Sequence, residues 1–182
     1  MGRVRVWTIG HGARTIDAFL AILAEAQVAT LVDVRRFPGS RRHPQFGRDE
    51  LASAVRGAGV EYTWAGEVLG GRRSARPGSR HTALRNAAFV GYADHMDTAA
   101  FRTAIDELLR GPGRPAVMCA ETLWWHCHRM LIADALVLRG GTVSHLLGPG
   151  QQQPHRLTAG VRTDADGRPV YDATEQPALP GL

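Results

Sequence analysis

Apolar and polar positions along this chain follow two periodicities in turn, which predicts alternating strands and helices. Short runs rich in β-branched or apolar residues lie at 4–9, 29–34, 60–64, 115–118 and 142–147. Runs of this length and composition are typical of strands, and the more continuous ones of strands buried on both faces. Between them, apolar residues recur every three or four positions, as on the buried side of a helix. The pattern predicts an α/β fold, a mostly parallel sheet of about five strands with helices on both faces.

Capping residues indicate where the helices begin. Thr15, Asp49 and Thr98 each precede a helical pattern and are of types that accept hydrogen bonds from the first free N–H groups of a helix. A further helix is predicted to begin near Thr122 and to run to Leu138, carrying Cys127, His128 and Arg129.

Two segments lack a regular pattern. Residues 65–88 read as a long basic loop, and loops of that length inside a compact domain usually serve a function or are disordered. From Gly148 onward the chain is rich in Gly, Pro, Gln and Asp, although a small hairpin is indicated around Asp166-Gly167. We therefore expect a single α/β domain at 1–158 and an irregular C-terminal tail at 159–182.

Composition excludes several classes of protein. Two cysteines are too few for a secreted disulfide framework, and no signal peptide precedes the first strand. The apolar runs are too short to cross a bilayer. We expect a cytoplasmic protein with free thiols, without membrane contact and without a cofactor.

The net charge of +5 is unevenly distributed, and all 22 basic residues are arginine. Between Arg35 and Arg85 there are eleven arginines and four acidic residues, so this segment carries +7 and the remainder −2. Arginine forks suit phosphate and carboxylate groups, although a solvated basic face would have the same composition. The candidate anion-binding residues are Arg35, Arg42, Arg72, Arg73 and Arg129.

Polar and reactive residues recur where the predicted strands end. These positions are Gly10-His11, Asp33 to Arg35, Tyr62 to Trp64, Cys119 to Glu121, and His145. Because ligands bind outside the carboxyl ends of the strands in sheets of this class, the sequence predicts a site at this edge. His11, at the end of the first strand, is a candidate catalytic residue on this ground.

The residues at these strand ends resemble a bacterial family of unknown function, the domain of unknown function family 488. The resemblance covers roughly residues 4 to 158 and implies an α/β fold in a bacterial cytoplasmic protein, with no activity attached. It is carried by Thr8–His11, Leu31–Pro38, Ser40–Arg42, Leu69–Arg73, Arg85-Asn86, Gly91–Asp94, Cys119–Glu121, Cys127–Arg129 and Pro154–Thr158.

Cys119 is a candidate nucleophile. A thiol near a helix N-terminus and near Arg129 or His128 can ionise at neutral pH, but a free cysteine is often simply a small buried hydrophobic residue. Nine residues separate Cys119 from Arg129. A tyrosine-phosphatase loop, which places five residues between its Cys and Arg, is therefore excluded.

Extending the last helix backward at 3.6 residues per turn places Trp124, Trp125 and His128 inward and His126 outward. The tryptophans are expected to pack, with a stacking platform for a base as the alternative. His128 is then either an acid–base group or a hydrogen-bonded core histidine. Glu121 could act as a base or orient His128, or serve only as a helix-terminal charge.

Asp33 lies in an apolar strand and requires a partner, because an unpaired buried charge is costly. Arg35 or another arginine of the basic segment would suit it, either as a structural salt bridge or as part of a site. No metal is expected, because the spacing of Cys119, His126, Cys127 and His128 does not match a zinc pattern.

Three hypotheses remain open. The first is an enzyme that acts on a phosphate-bearing ligand, a nucleotide or nucleic acid, at an Arg/Cys/His/Glu site. The second is a nucleic-acid-binding module without catalysis, and the third a thiol-based redox or regulatory protein that uses Cys119 and Cys127.

Overall fold

A parallel sheet forms the centre of the molecule in the computed structural model, which describes residues 4–39, 41–111 and 113–173. Within these residues the sheet has six strands in the order β3-β2-β4-β1-β5-β6. The elements are β1 (Arg5–Gly10), α1 (Ile16–Glu25), β2 (Thr30–Asp33), α2 (Arg48–Gly57), β3 (Glu61–Trp64), α3 (Gly66–Leu69), α4 (Ala87–Met96), α5 (Ala99–Arg110), β4 (Pro115–Cys119), α6 (Arg129–Leu138), β5 (Thr142–Gly148), β6 (Gln151–Pro154), β7 (Val161–Thr163) and β8 (Pro169–Tyr171).

The predicted α/β class and its parallel sheet are confirmed. Strands β1 to β5 pair in parallel. Phe19 of α1 and Leu51 of α2 pack in the core on one face, whereas Tyr92 of α4, Phe101 of α5 and Leu131 of α6 pack on the other. Helices therefore cover both faces, as the hydrophobic pattern indicated.

The sequence pattern missed one strand. Strand β6 runs antiparallel to β5 at the edge of the sheet, and its sequence is Gln-Gln-Gln-Pro. Because it is an edge strand with exposed side chains and a proline, it has no apolar alternation to reveal it.

Two of the three predicted N-caps are confirmed. The hydroxyl of Thr15 accepts from Ala18 N–H, and that of Thr98 accepts from Phe101 N–H. The prediction for Asp49 is wrong, because α2 begins at Arg48 and Gly47 occupies the cap position. Asp49 instead lies in the first turn, where the helix dipole favours a negative charge.

The predicted start of the last helix is also wrong. A 3₁₀ turn spans Trp124–His126, Cys127 is extended (φ −128°, ψ 153°), and α6 begins only at Arg129. Because the extended backbone of Cys127 interrupts the helix, the helical spacing of the preceding residues has no structural meaning. Trp125 is consequently 42% exposed and not buried.

The predicted basic loop, residues 65–88, has a defined conformation. It opens with α3, continues irregularly to Asn86, and is held by the Asp94 carboxylate, which accepts hydrogen bonds from Arg76 N–H and the Ser79 hydroxyl. The predicted loop is thus an ordered connection that begins after Leu69.

The predicted C-terminal hairpin is formed by β7 and β8. Tyr171 of β8 is fully buried, and its hydroxyl donates to Asp134 of α6. Ser40 and the tail residues 174–182 lie outside the described residues. No helix among the described residues is long and apolar enough to cross a membrane.

Candidate functional site

The carboxyl edge of the sheet gathers the predicted residues through backbone pairing beyond the strands. His11 N–H donates to Cys119 C=O, and Gly12 N–H donates to Ala120 C=O, both at 3.0 Å. On the other side of β4, Val34 N–H donates to Met118 C=O at 2.9 Å. The chain segments after β1, β2 and β4 therefore leave the sheet side by side.

A cavity of about 270 Å³, here called the cysteine cavity, opens at this edge. Five of the predicted site residues line it: Cys119, Glu121, His128, Arg35 and Arg72. The lining does not include His11, Asp33, Arg42, Arg73 or Arg129. It does include Arg36, Phe37, Tyr92, His126 and Cys127, which were not among the predicted site residues.

The two cysteines are in direct contact at the inner wall. Their Sγ atoms lie 2.7 Å apart, within hydrogen-bond distance, although seven residues separate them along the chain. Cys119 is 2% exposed and Cys127 5% exposed, and both are free thiols. Each nevertheless borders the cavity, so a small molecule in it reaches the pair.

The pair is electrostatically asymmetric. Burial raises the pKa of Cys119 well above its ordinary value, and the hydrogen bond to Cys127 raises it further. Burial also acts to raise the pKa of Cys127, but the hydrogen bond with Cys119, together with His128 and Arg129, brings it well below the ordinary value. The directions of the two shifts favour Cys127 over Cys119 as the sulfur that ionises.

Arg129 lies beneath the cavity and fixes the segment between the cysteines. Its guanidinium is 1% exposed and donates to the backbone oxygen atoms of Glu121 (2.6 Å) and Thr122 (3.3 Å). Its Nε has no hydrogen-bond partner, and no ion pair in the described part of the chain involves Arg129. A buried cation without a carboxylate favours a nearby anion, and Arg129 accordingly acts to lower the pKa of Cys127.

His128 lines the cavity beside Cys127. Its Nδ1 is 3.4 Å from Cys127 Sγ, and its ring packs against Tyr92 with centroids 5.0 Å apart. Its buried Nε2 has no hydrogen-bond partner in the part of the chain that the structure describes. A Cβ at Gly71 would lie 3.0 Å from His128 Nδ1, so the glycine provides room for the imidazole.

The backbone and the side chain of Glu121 have different surroundings. Its backbone oxygen lies 3.7 Å from Cys119 Sγ and accepts a hydrogen bond from Arg129. Its side chain is exposed at the cavity mouth, and no hydrogen bond between described residues links its carboxylate to His128. A Cys–His–Glu arrangement in which Glu121 orients the imidazole is not formed.

Asp33 and Arg35 form a closed salt bridge behind the cavity. Arg35 Nε and Nη2 donate to the Asp33 carboxylate at 2.9 Å and 2.6 Å, and Arg35 Nη1 donates to Phe46 C=O at 2.7 Å. The Tyr62 hydroxyl donates to the same carboxylate at 2.8 Å. The expected partnership of Asp33 with Arg35 is therefore present, and it occupies most of the donors of Arg35.

His11 belongs to this closed group. Its ring stacks on Phe46 with centroids 4.3 Å apart, and Nδ1 is 2.8 Å from Gly12 O. Burial lowers the pKa of His11 to about 4, and the charge of Arg35 also acts to lower it. His11 is consequently neutral at physiological pH and serves as a packed aromatic group.

The mouth of the cavity is cationic and aromatic. The guanidinium groups of Arg36 and Arg72 each lie 5.6 Å from the Phe37 ring centroid, and Phe37 is 63% exposed. Neither arginine takes part in an ion pair within the described residues. Arg73 is instead turned to the backbone oxygen atoms of Gly70 and Glu67.

A second buried polar network, here called the histidine chain, was not predicted apart from His145. Thr8 Oγ1 is 2.7 Å from His145 Nδ1, His145 Nε2 is 3.0 Å from His155 Nδ1, and His155 Nε2 is 2.8 Å from Asp134 Oδ1. Tyr171 completes it by donating to Asp134 Oδ2 at 3.0 Å.

Trp124 covers this network. Its ring stacks on His145 with centroids 4.1 Å apart and planes 5° from parallel, and its indole N–H donates to Gln153. The expectation that Trp124 packs is thus met by contact with His145. Only the recurrence of His145 at a strand end signalled this network in the sequence.

Among the described residues, no three side chains of His, Cys, Asp or Glu are arranged to hold a metal ion. Comparison with curated proteins found no match. Comparison with solved structures found none either. The family described as Domain of unknown function DUF488 matches residues 15–136, about two-thirds of the chain. That segment contains both cysteines, the basic segment and the strand ends that border the cavity, and the chain belongs to the DUF488 family.

Proposed function

We propose that this protein is an enzyme in which the Cys127 thiolate attacks a small phosphate-bearing molecule, with a nucleotide as the best-fitting class. The single observation that carries the proposal is the Cys119–Cys127 contact at the wall of the cysteine cavity. Thiolates are the reactive form of cysteine, and here His128 and Arg129 favour that form next to an accessible space.

The residues divide the chemical work. Cys127 forms a bond to the electrophilic atom of the ligand, and the leaving group departs with the electron pair of the broken bond. His128, 3.4 Å from Cys127 Sγ, is placed to exchange a proton with the leaving group or with the water that later releases the enzyme. Cys119 donates its hydrogen bond to the nucleophile.

The mouth supplies the affinity for phosphate. Arg36 and Arg72 present guanidinium groups that no carboxylate in the described structure neutralises, beside an exposed phenyl ring at Phe37. Planar cations of this kind bind phosphate in a bidentate manner, and an aromatic face can contact a base. Arg42, exposed on the preceding loop, adds positive potential.

Cavity size favours a small ligand over a polynucleotide. A space of about 270 Å³ lies near the lower end of the range for small-molecule pockets. A nucleic-acid-binding module would instead depend on many phosphate contacts across an open face. Free thiols of this kind suit the reducing cytoplasm.

The decisive test is alkylation of the reduced protein by iodoacetamide, with peptide mapping, at pH 6 to 9. Cys127 should react faster than Cys119 at every pH and faster than a free cysteine at pH 7. The groups that set this profile are Cys119, His128, Arg129 and Tyr92. Equal and slow reaction of both thiols in the folded protein would refute the assignment.

Ligand class is tested by protection of Cys127. AMP should slow alkylation, whereas adenosine, which lacks the phosphate, should not. The Arg72→Gln variant should lose most of the protection, and Arg110→Gln, an exposed helix variant far from the mouth, should keep it. Equal protection by adenosine and AMP would contradict phosphate recognition. A steep loss of single-stranded DNA binding with rising salt would favour the binding-module alternative.

A further inference from the structure

The contact between the two sulfur atoms is closer than nucleophile activation alone requires. A disulfide bond is about 2.05 Å long, so the observed separation of 2.7 Å leaves roughly 0.7 Å to close. Cys119 ends a fully buried strand, and Cys127 lies just before α6. Arg129 holds the intervening segment through Glu121 C=O.

We infer that Cys119 is a resolving thiol and that the Cys119–Cys127 pair is a reversible redox site whose oxidant is a hydroperoxide. The inference rests on the proposed role of Cys127 as the nucleophile. The cavity, which both cysteines line, gives a small peroxide access to Cys127, and Cys119 is in direct contact with the Cys127 sulfur.

The reaction balances in two steps. In the first, the Cys127 thiolate attacks one peroxide oxygen, the O–O bond breaks, Cys127 becomes a sulfenic acid, and the departing oxygen leaves as an alcohol or, from hydrogen peroxide, as water after taking up a proton. In the second, Cys119 attacks the Cys127 sulfur, and the S–O bond breaks to release water. A small dithiol reductant then restores both thiols by exchange and is itself oxidised to its disulfide.

The surroundings favour capture over further oxidation. A sulfenic acid that stays exposed to peroxide proceeds to sulfinic acid, which cells rarely reverse. Here the second thiol is already in contact, so no chain movement is needed before the disulfide forms. Oxidation removes the nucleophile for as long as the disulfide lasts, and the proposed enzyme is inactive but undamaged.

The experiment treats the reduced protein with one to five equivalents of hydrogen peroxide at pH 7, followed by blocking of free thiols and mass analysis. Wild type should lose two hydrogen atoms, and neither cysteine should then react with the thiol-blocking reagent. Dithiothreitol should restore both free thiols. Cys119→Ala should form a sulfenic acid at Cys127, trapped by dimedone, and then gain a second oxygen. Cys127→Ser should leave Cys119 unmodified.

Folding is controlled by circular dichroism, and Cys119→Ser serves as a second variant if Cys119→Ala unfolds. Wild type that accumulates sulfinic acid at Cys127 while Cys119 stays free overturns the inference. In that case rapid alkylation and protection by AMP would still stand, so the two proposals fail separately. Disulfide formation without AMP protection would retain the redox site and refute the phosphate-bearing substrate.

Discussion

The cysteine cavity and the histidine chain are two buried polar clusters on the same side of one sheet, and they differ in how their polar atoms are satisfied. In the histidine chain, each ring nitrogen and both Asp134 oxygen atoms have a partner. At the cysteine cavity, the Nε2 of His128 and the Nε of the neighbouring Arg129 have no partner among the described residues. Closed networks rigidify a core, whereas groups left open beside a cavity indicate a ligand or a reaction.

The largest expected effect comes from a substitution that disrupts the histidine chain. Asp134→Asn leaves His155, Tyr171 and the N–H of Thr158 around a group that cannot accept from all three. Removing one partner of a buried charged network costs about 3–5 kcal/mol. We expect the free energy of unfolding, measured in urea, to fall by that amount, while Cys127 of the folded fraction keeps its alkylation rate.

Asp106→Asn is the matched control, because Asp106 forms only partly exposed ion pairs with Arg110 and Arg139. Surface pairs contribute about 0–1 kcal/mol. Equal destabilisation by the two substitutions, or a loss of Cys127 reactivity in folded Asp134→Asn, would show that the clusters are not independent.

Acid should destabilise the protein through its neutral buried histidines. Burial lowers the pKa of His145 to about 3, with His155 and Arg129 adding to the shift, and that of His11 to about 4. Below pH 6.5 these histidines are protonated in the unfolded chain but stay neutral in the folded protein. The free energy of unfolding therefore falls as the pH falls. Each residue contributes about 1.4 kcal/mol per pH unit down to its folded pKa.

Urea unfolding of wild type and His145→Asn between pH 7 and 5 measures this dependence. The variant should show a shallower slope against pH, whatever its absolute stability. His11 should account for part of the remaining slope, in an environment set by Arg35, His43 and Asp33. An unchanged slope would mean that His145 accepts a proton in the folded state.

The sequence predicts those parts of the fold in which buried residues recur at a regular spacing. The strands and most helices were predictable, because burial on a sheet or along a helix repeats at a fixed spacing. The turn at 124–126 was not, since the extended backbone of Cys127 has no periodic signature. His126 was accordingly placed away from the site, although it borders the cavity.

Long-range contacts explain why the roles of several site residues could not be predicted from the sequence. Cys119 and Glu121 could be placed at the site from their strand end alone. The choice of Cys127 as the charged sulfur could not, because it depends on a contact between sulfur atoms and on an arginine without a carboxylate. Arg35 and His11 have residue types suited to a site, and only the structure shows that Asp33 and Phe46 already occupy them.

A smaller effect is expected from a substitution at the cysteine cavity. Arg129→Met removes the buried cation, so the pKa of Cys127 should rise, and the pH at which alkylation by iodoacetamide reaches half its maximal rate should rise with it. Arg139→Met, at the other end of α6, should leave the pH–rate profile unchanged. Arg129→Lys should restore part of the rate. A profile that does not move in folded Arg129→Met would refute electrostatic stabilisation of the thiolate.

The smallest expected effect compares two charges at the cavity mouth. Glu121 and Arg72 are exposed and line the same opening with opposite sign. Two unit charges about 4 Å apart in bulk water interact by about 1 kcal/mol, which is roughly fivefold in rate. Glu121→Gln should raise the rate of Cys127 alkylation by anionic iodoacetate relative to neutral iodoacetamide, and Arg72→Gln should lower it. Because the neutral reagent cancels changes in the thiolate itself, the two ratios report only the field that an incoming phosphate would meet. Shifts of the same sign in both variants would mean that the mouth does not select for anions.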